Sequence, residues 1–164
     1  RKLRFFIRDR GDAFSRAVLE GQLVGQAVTL EGPDGDFVLE EESLAPSIFI
    51  AAADGYGPVL SMVEQAISID NADRITVYLV EEQAWGDAFE NRLRSWKDAL
   101  DNFEVTHLPA DIGISDLRDR LRQENPDLGE SDIYLAGPDE LVTPLARIID
   151  MDLNARQCRV CAIH

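Results

Sequence analysis

Ser47-Ile-Phe-Ile-Ala51-Ala-Ala-Asp-Gly-Tyr-Gly-Pro58 is the stretch that decides the fold of this chain. Its first part, Ser47 to Ala51, is a continuous apolar run, the pattern of a strand buried on both faces. Gly55 to Pro58 break that run. Val59, Met62, Val63, Ala66 and Ile67 then recur at helical spacing, so the reading is strand, tight turn, helix.

The same alternation continues downstream. Ile75 to Val80 reads as a second strand, and Phe89, Leu93, Trp96 and Leu100 form one stripe of a helix. Phe103 to His107 is a third strand, followed by a helix marked by Ile114, Leu117 and Leu121. Ile133 to Ala136 is a fourth strand, Leu141, Leu145 and Ile148 mark a fourth helix, and Arg159 to Ile163 reads as a last strand. Successive strand–helix units predict an α/β fold with a parallel, doubly wound sheet, because parallel neighbours need crossovers and the crossovers are right-handed.

Residues upstream of Ala45 follow another pattern. Leu3 to Arg8, Gln26 to Leu30 and Phe37 to Leu39 read as short strands. Ser15 to Leu19 suits one or two helical turns with Ser15 as N-cap. Gly32-Pro-Asp-Gly-Asp36 is a strong turn signal. About forty residues of this kind are too few to close a barrel and must lean on something else. The charged stretch Glu40-Glu-Glu-Ser-Leu-Ala45 places the expected boundary between 1–44 and 45–164.

Composition bounds the function. The chain has 164 residues, 31 acidic against 16 basic, and a formal charge of −15. Such a surface repels nucleic acid and anionic lipid and suits a basic protein partner, or simply keeps the protein soluble. No apolar run is long enough to span a membrane, and no charged-then-apolar leader is present. The chain opens on Arg1 rather than Met, which leaves an upstream segment open. Cys158 and Cys161 are its only cysteines, too few for a secreted disulfide scaffold, so a reducing, cytoplasmic setting is expected.

In an open α/β sheet, ligands bind outside the carboxyl ends of the strands. Three stretches fall there. Ala52 to Pro58 offers small residues and a helix start near Pro58, a position that suits the pyrophosphate of a dinucleotide; a tight strand-to-helix turn accounts for it equally. Glu81-Glu82 follows the second strand, where a carboxylate accepts from ribose hydroxyls and repels a 2′-phosphate, favouring NAD over NADP; a solvated loop charge is the plainer reading. Ala136-Gly-Pro-Asp-Glu140 closes the fourth strand, and helix capping by Asp139 and Glu140 explains it as well.

These residues resemble the ferredoxin–NADP reductase-like flavoproteins, which include reductase components of bacterial oxygenases. Phe49-Ile-Ala-Ala-Ala-Asp-Gly-Tyr-Gly-Pro58, with Ser61 on the next helix, resembles the family's nucleotide loop A-G-G-T-G-x-x-P. Tyr134-Leu-Ala-Gly-Pro138 resembles Y-x-C-G-P, Gly32 to Phe37 resembles the G-P-x-G-x-F turn that ends the flavin barrel, and Gly11-Asp-Ala-Phe-Ser15 is similar to the flavin loop G-G-x-x-S. Order and spacing agree from about Arg4 to Pro138.

The resemblance implies that residues 1–44 are the C-terminal part of an antiparallel flavin-binding barrel, partial here, and that 45–164 bind NAD(P)H. It implies FAD or FMN as cofactor, hydride transfer from nicotinamide to flavin, and single electrons passed to an iron–sulfur or haem protein. Ser15 would contact the flavin phosphate. Ala53, Asp54, Gly55, Tyr56, Gly57 and Pro58 would form the pyrophosphate loop, Glu82 would meet the ribose, and Ala136, Gly137 and Pro138 would line the nicotinamide side. No catalytic side chain follows from the match.

Departures from the family pattern point toward a second expectation, a catalytically degenerate reductase-like domain with a binding or assembly role. The upstream R-x-Y-S/T flavin motif and the C-terminal acidic–aromatic ending are missing. Ala52 and Ala53 replace two glycines, Asp12 a third, and Ala136 a cysteine. Asp54 puts a carboxylate at a usually neutral position; a like charge about 5 Å from a phosphate costs roughly 3 kcal/mol at an effective dielectric of about 20.

The remaining candidates read as structural. Cys158-Arg-Val-Cys161 with His164 has the spacing of half a zinc site, but on a strand the two thiols point to opposite faces, so no metal is expected. Trp85 and Trp96 read as packing residues and His107 as a hydrogen-bonded one.

Overall fold

The computed structural model describes residues 1–164 apart from 1, 2, 4, 6, 8, 33, 34, 71, 82–86 and 164. The chain divides into two compact units, Arg1–Asp36 and Phe37–His164.

The second unit is built on five parallel strands, β1 (Ser47–Ala52), β2 (Ile75–Glu81), β3 (Phe103–Pro109), β4 (Asp132–Pro138) and β5 (Gln157–Ile163), in the order β3-β2-β1-β4-β5. Helices α2 (Tyr56–Ile69), α3 (Asp87–Ala99), α4 (Ile114–Glu124) and α5 (Asp139–Ile148) make the crossovers. β1 is buried along its whole length, as its unbroken apolar run requires.

Each face of the sheet carries its own helical layer. Ile48, Ile50, Ala52, Tyr78, Val80, Ile133 and Leu135 share a core with Leu117 and Leu121 of α4 and Val142 and Leu145 of α5. By the alternation of strand side chains, Phe49, Val77 and Tyr134 face the other layer, where α2 buries Val59, Leu60, Met62, Val63 and Ala66. Phe49 and Tyr134, paired in register, stack with ring centroids 5.0 Å apart. Burying one such side chain contributes about 1.5–3 kcal/mol. At the amino edge, Asp132 is fully buried and both its oxygens accept from Arg156, at 2.6 and 2.7 Å.

The first unit corrects several expectations. α1 (Ala13–Leu19) forms, but its N-cap is Asp12, whose carboxylate accepts from the Ser15 amide at 2.8 Å; Ser15 lies inside the helix. The described residues of Leu3 to Arg8 and all of Gln26 to Leu30 join no strand ladder, nor do Phe37 to Leu39 at the start of the second unit. Helical hydrogen bonds close within the segment, whereas a strand needs a neighbour to receive its backbone groups. Of the Gly32 to Asp36 turn, Pro33 and Asp34 lie outside the described residues.

Candidate nucleotide site at the carboxyl edge of the sheet

The strand order reverses beside β1: the chain leaves it toward β2 and β3, then returns to lay β4 on its other side. That reversal falls at the carboxyl ends of β1 and β4, the position where open α/β sheets generally take ligands in a crevice. Two of the three stretches singled out from the sequence meet there.

After β1 the chain enters a 3₁₀ turn, Ala53–Gly55, and runs directly into α2 at Tyr56. The helix therefore starts two residues ahead of Pro58, which sits inside its first turn. The amide of Tyr56 closes onto the carbonyl of Ala53. Asp54 lies in the first turn of the 3₁₀ segment, where the partial positive charge of the helix start favours a carboxylate. Gly57 and Pro58 are half-buried.

The glycines of these turns serve packing. Gly55 is buried against the end of β4: a Cβ there would overlap the Ala136 carbonyl and lie 2.7 Å from the Gly137 nitrogen. A Cβ on Gly137 would in turn lie 3.0 Å from the Cβ and the carbonyl oxygen of Ala52. The two turns thus fit through backbone contact, and the side chain of Ala136 is fully buried.

Ala53 takes the left-handed conformation, with φ at +45°. Asp70 and Asn154 are the other non-glycine residues with positive φ among those described. Asp and Asn tolerate that region through local hydrogen bonds; alanine has none to offer and incurs about 1 kcal/mol or more of strain. Ala52 remains extended, at φ −134° and ψ 141°. Of the two alanines replacing glycines, only Ala53 meets a conformation suited to glycine.

Tyr56 is a residue whose structural part the sequence left unread. It is 2% exposed and its hydroxyl donates to the Val80 carbonyl at 3.1 Å, fastening the start of α2 to the end of β2. At the other turn, Pro138 is the N-cap of α5, with Asp139 and Glu140 in the first helical turn. The third stretch is only partly visible: Glu81 ends β2 in register with Pro109, and Glu82 lies outside the described residues.

Ser15 belongs to the first unit, and its polar groups are engaged within its own loop. Its hydroxyl donates to the Asp12 carbonyl and accepts from the Arg10 amide, both at 3.3 Å.

Cys158 packs on the α4–α5 face of β5, and strand alternation turns Cys161 to the other face. Burial, with Asp150 nearby, pushes the Cys158 thiol up to about 12, and burial raises Cys161 too, so both stay protonated at neutral pH. Among the described residues no cluster of His, Cys, Asp and Glu is arranged to hold a metal. Trp96 packs edge-on against Phe103, and exposed His107 lies 3.9 Å from Glu90. Trp85 and His164 lie outside the described residues.

No family profile matches the chain. It is similar over 151 residues, at 22% identity, to the reductase component of propane 2-monooxygenase from Rhodococcus jostii, covering 85% of this chain and 41% of that protein. Over 65 residues it is 40% identical to methane monooxygenase component C from Methylosinus trichosporium, covering 39% of this chain and 19% of that one. The cytochrome P450 reductase GcoB of Amycolatopsis shares its fold, with a TM-score of 0.64 at 16% identity over 80% of this chain and 42% of its own. The chain resembles ferredoxin–NADP reductase-like flavoproteins and spans about two-fifths of the first of these relatives. No helix among the described residues is long and apolar enough to cross a membrane.

Proposed function

We propose that this chain is the nucleotide-binding part of an NAD(P)H-dependent flavin oxidoreductase, with NADH favoured, that delivers electrons to an iron–sulfur or haem protein in the cytoplasm. One observation carries the reading: the turn after β1 and the turn after β4 meet at the point where the strand order reverses. The likeness to oxygenase reductase components supports it independently.

The position and backbone shape of these residues support a dinucleotide site. The 3₁₀ turn at Ala53–Gly55 and the start of α2 put a helix N-terminus at that edge of the sheet, with Ala53 keeping the left-handed bend. Ala53 to Pro58 would hold the diphosphate, Glu82 the ribose, and Ala136, Gly137 and Pro138 the nicotinamide end. When bound, NADH would supply a hydride to FAD or FMN, which Ser15 and residues upstream would hold, and the flavin would pass electrons on one at a time. The chain's own part is to bind and orient. The test is spectroscopic: the full-length protein should purify yellow and bleach faster with NADH than with NADPH. A colourless full-length protein indifferent to NADH rejects the proposal.

A second reading, a reductase-like domain with a binding or assembly role, is favoured by the carboxylates at two helix starts. Asp12 occupies the Ser15 amide, and Asp54 stands in the first turn before α2. Under it, Ala53→Gly with Asp54→Thr raises NADH affinity from negligible. Micromolar affinity in the parent, unchanged by the substitutions, rejects this second reading.

A further inference from the structure

The residues that follow Asp36 are bound to the sheet at several points. Phe37 meets Tyr134 edge-on, with ring centroids 6.4 Å apart, and Tyr134 also stacks on the ring of Phe49. The backbone amide of Glu40 donates to the Tyr134 hydroxyl at 3.1 Å. The Glu40 carboxylate accepts from Arg159 of β5 at 2.9 Å. Glu41 accepts from Gln65 of α2 at 3.0 Å, and Ser43 accepts from Arg156 at 2.7 Å beside buried Asp132.

A short acidic connector in a chain of charge −15 would ordinarily be solvated and mobile. Here its backbone is fixed by a buried phenol, and its charge is met by an arginine, although basic residues are outnumbered almost two to one. Tyr134 lies three residues before Gly137, on the order of 10 Å along the same strand.

We propose that Tyr134 and Arg159 are positioning residues that hold Phe37–Ser43 as a rigid extension of β4 and β5. The connector leading from the upstream unit is thereby oriented by the strand that ends in Gly137 and Pro138. Its consequence for electron transfer rests on the oxidoreductase reading; the clamp itself does not.

Tyr134→Phe keeps both ring contacts and removes only the acceptor of the Glu40 amide. Hydrogen exchange on the 164-residue chain should quicken about 5–10-fold at Glu40, with the Ile133 and Leu135 amides unchanged as the check that the sheet is intact. Arg159→Gln should loosen the connector in the same direction, and Glu40→Arg combined with Arg159→Glu should restore its protection. Unchanged Glu40 exchange in Tyr134→Phe overturns the clamp. In the flavin-loaded full-length protein, Tyr134→Phe should lower kcat about 3–10-fold with the KM for NADH preserved. A raised KM with intact kcat overturns the positioning role. A protein inert to NADH overturns the oxidoreductase reading while the exchange result still decides the clamp.

Discussion

The two units put their apolar residues to different use. In Phe37–His164 every strand has a parallel neighbour, and the large side chains of β1, β2 and β4 are buried on both faces. Among the described residues of Arg1–Asp36 only α1 forms, and Leu3, Phe5, Phe14, Leu19, Val24, Val28 and Leu30 are exposed, Val24 at 84%. A helix satisfies its backbone within one segment, whereas a strand and its apolar face depend on distant chain. Local pattern is therefore a safe guide to a helix and only a conditional guide to a strand.

Three substitutions can break or sharpen that contrast. Gly55→Ala should have the largest effect, about 3 kcal/mol or more off the sheet unit, because the new methyl meets the backbone of β4 rather than a side chain that could move. A urea midpoint left in place would mean that the two turns do not pack as described. Ala53→Gly should act oppositely, adding about 1 kcal/mol by relieving the left-handed alanine, less the freedom glycine gains in the unfolded chain. Thermal unfolding measures it, and a loss of stability would refute the strain.

The smallest effect belongs to the first unit. The Ser15 amide, then its side chain, holds the Asp12 carboxyl below its usual 3.8. With the folded value lowered, the cap's contribution is complete above that ordinary value and is lost as pH falls through the lowered one. The Ser15 amide resonance should therefore titrate with a midpoint under 3.8, and Asp12→Asn should abolish the titration without moving the unfolding midpoint of the sheet unit. A midpoint at or above 3.8 would contradict the cap.

Much of the candidate site was legible in the sequence. The turns at Ala52–Pro58 and Ala136–Pro138 announced themselves through glycine, proline and the ends of apolar runs, and both reach the same edge of the sheet. The duties within them were less visible. Gly55 is suited to phosphate on its pattern, yet its missing Cβ makes room for Ala136. Tyr56 was singled out with the loop, but its structural bond gave no signal, because it depends on a carbonyl of β2 that is remote in sequence. Ser15 looked like a cap because its side chain can cap, but Asp12, three residues earlier, takes that place.

Composition and periodicity determined the repeated strand–helix units and the parallel sheet, since both follow from side-chain spacing and the geometry of one chain segment. The order β3-β2-β1-β4-β5 brings the two turns together; with it, only the tertiary structure decided which glycine is structural, which alanine is strained, and that Tyr134 and Arg159 grip the connector. Those outcomes depend on atoms far apart in the chain but a few ångströms apart in space, and no local pattern encodes such distances.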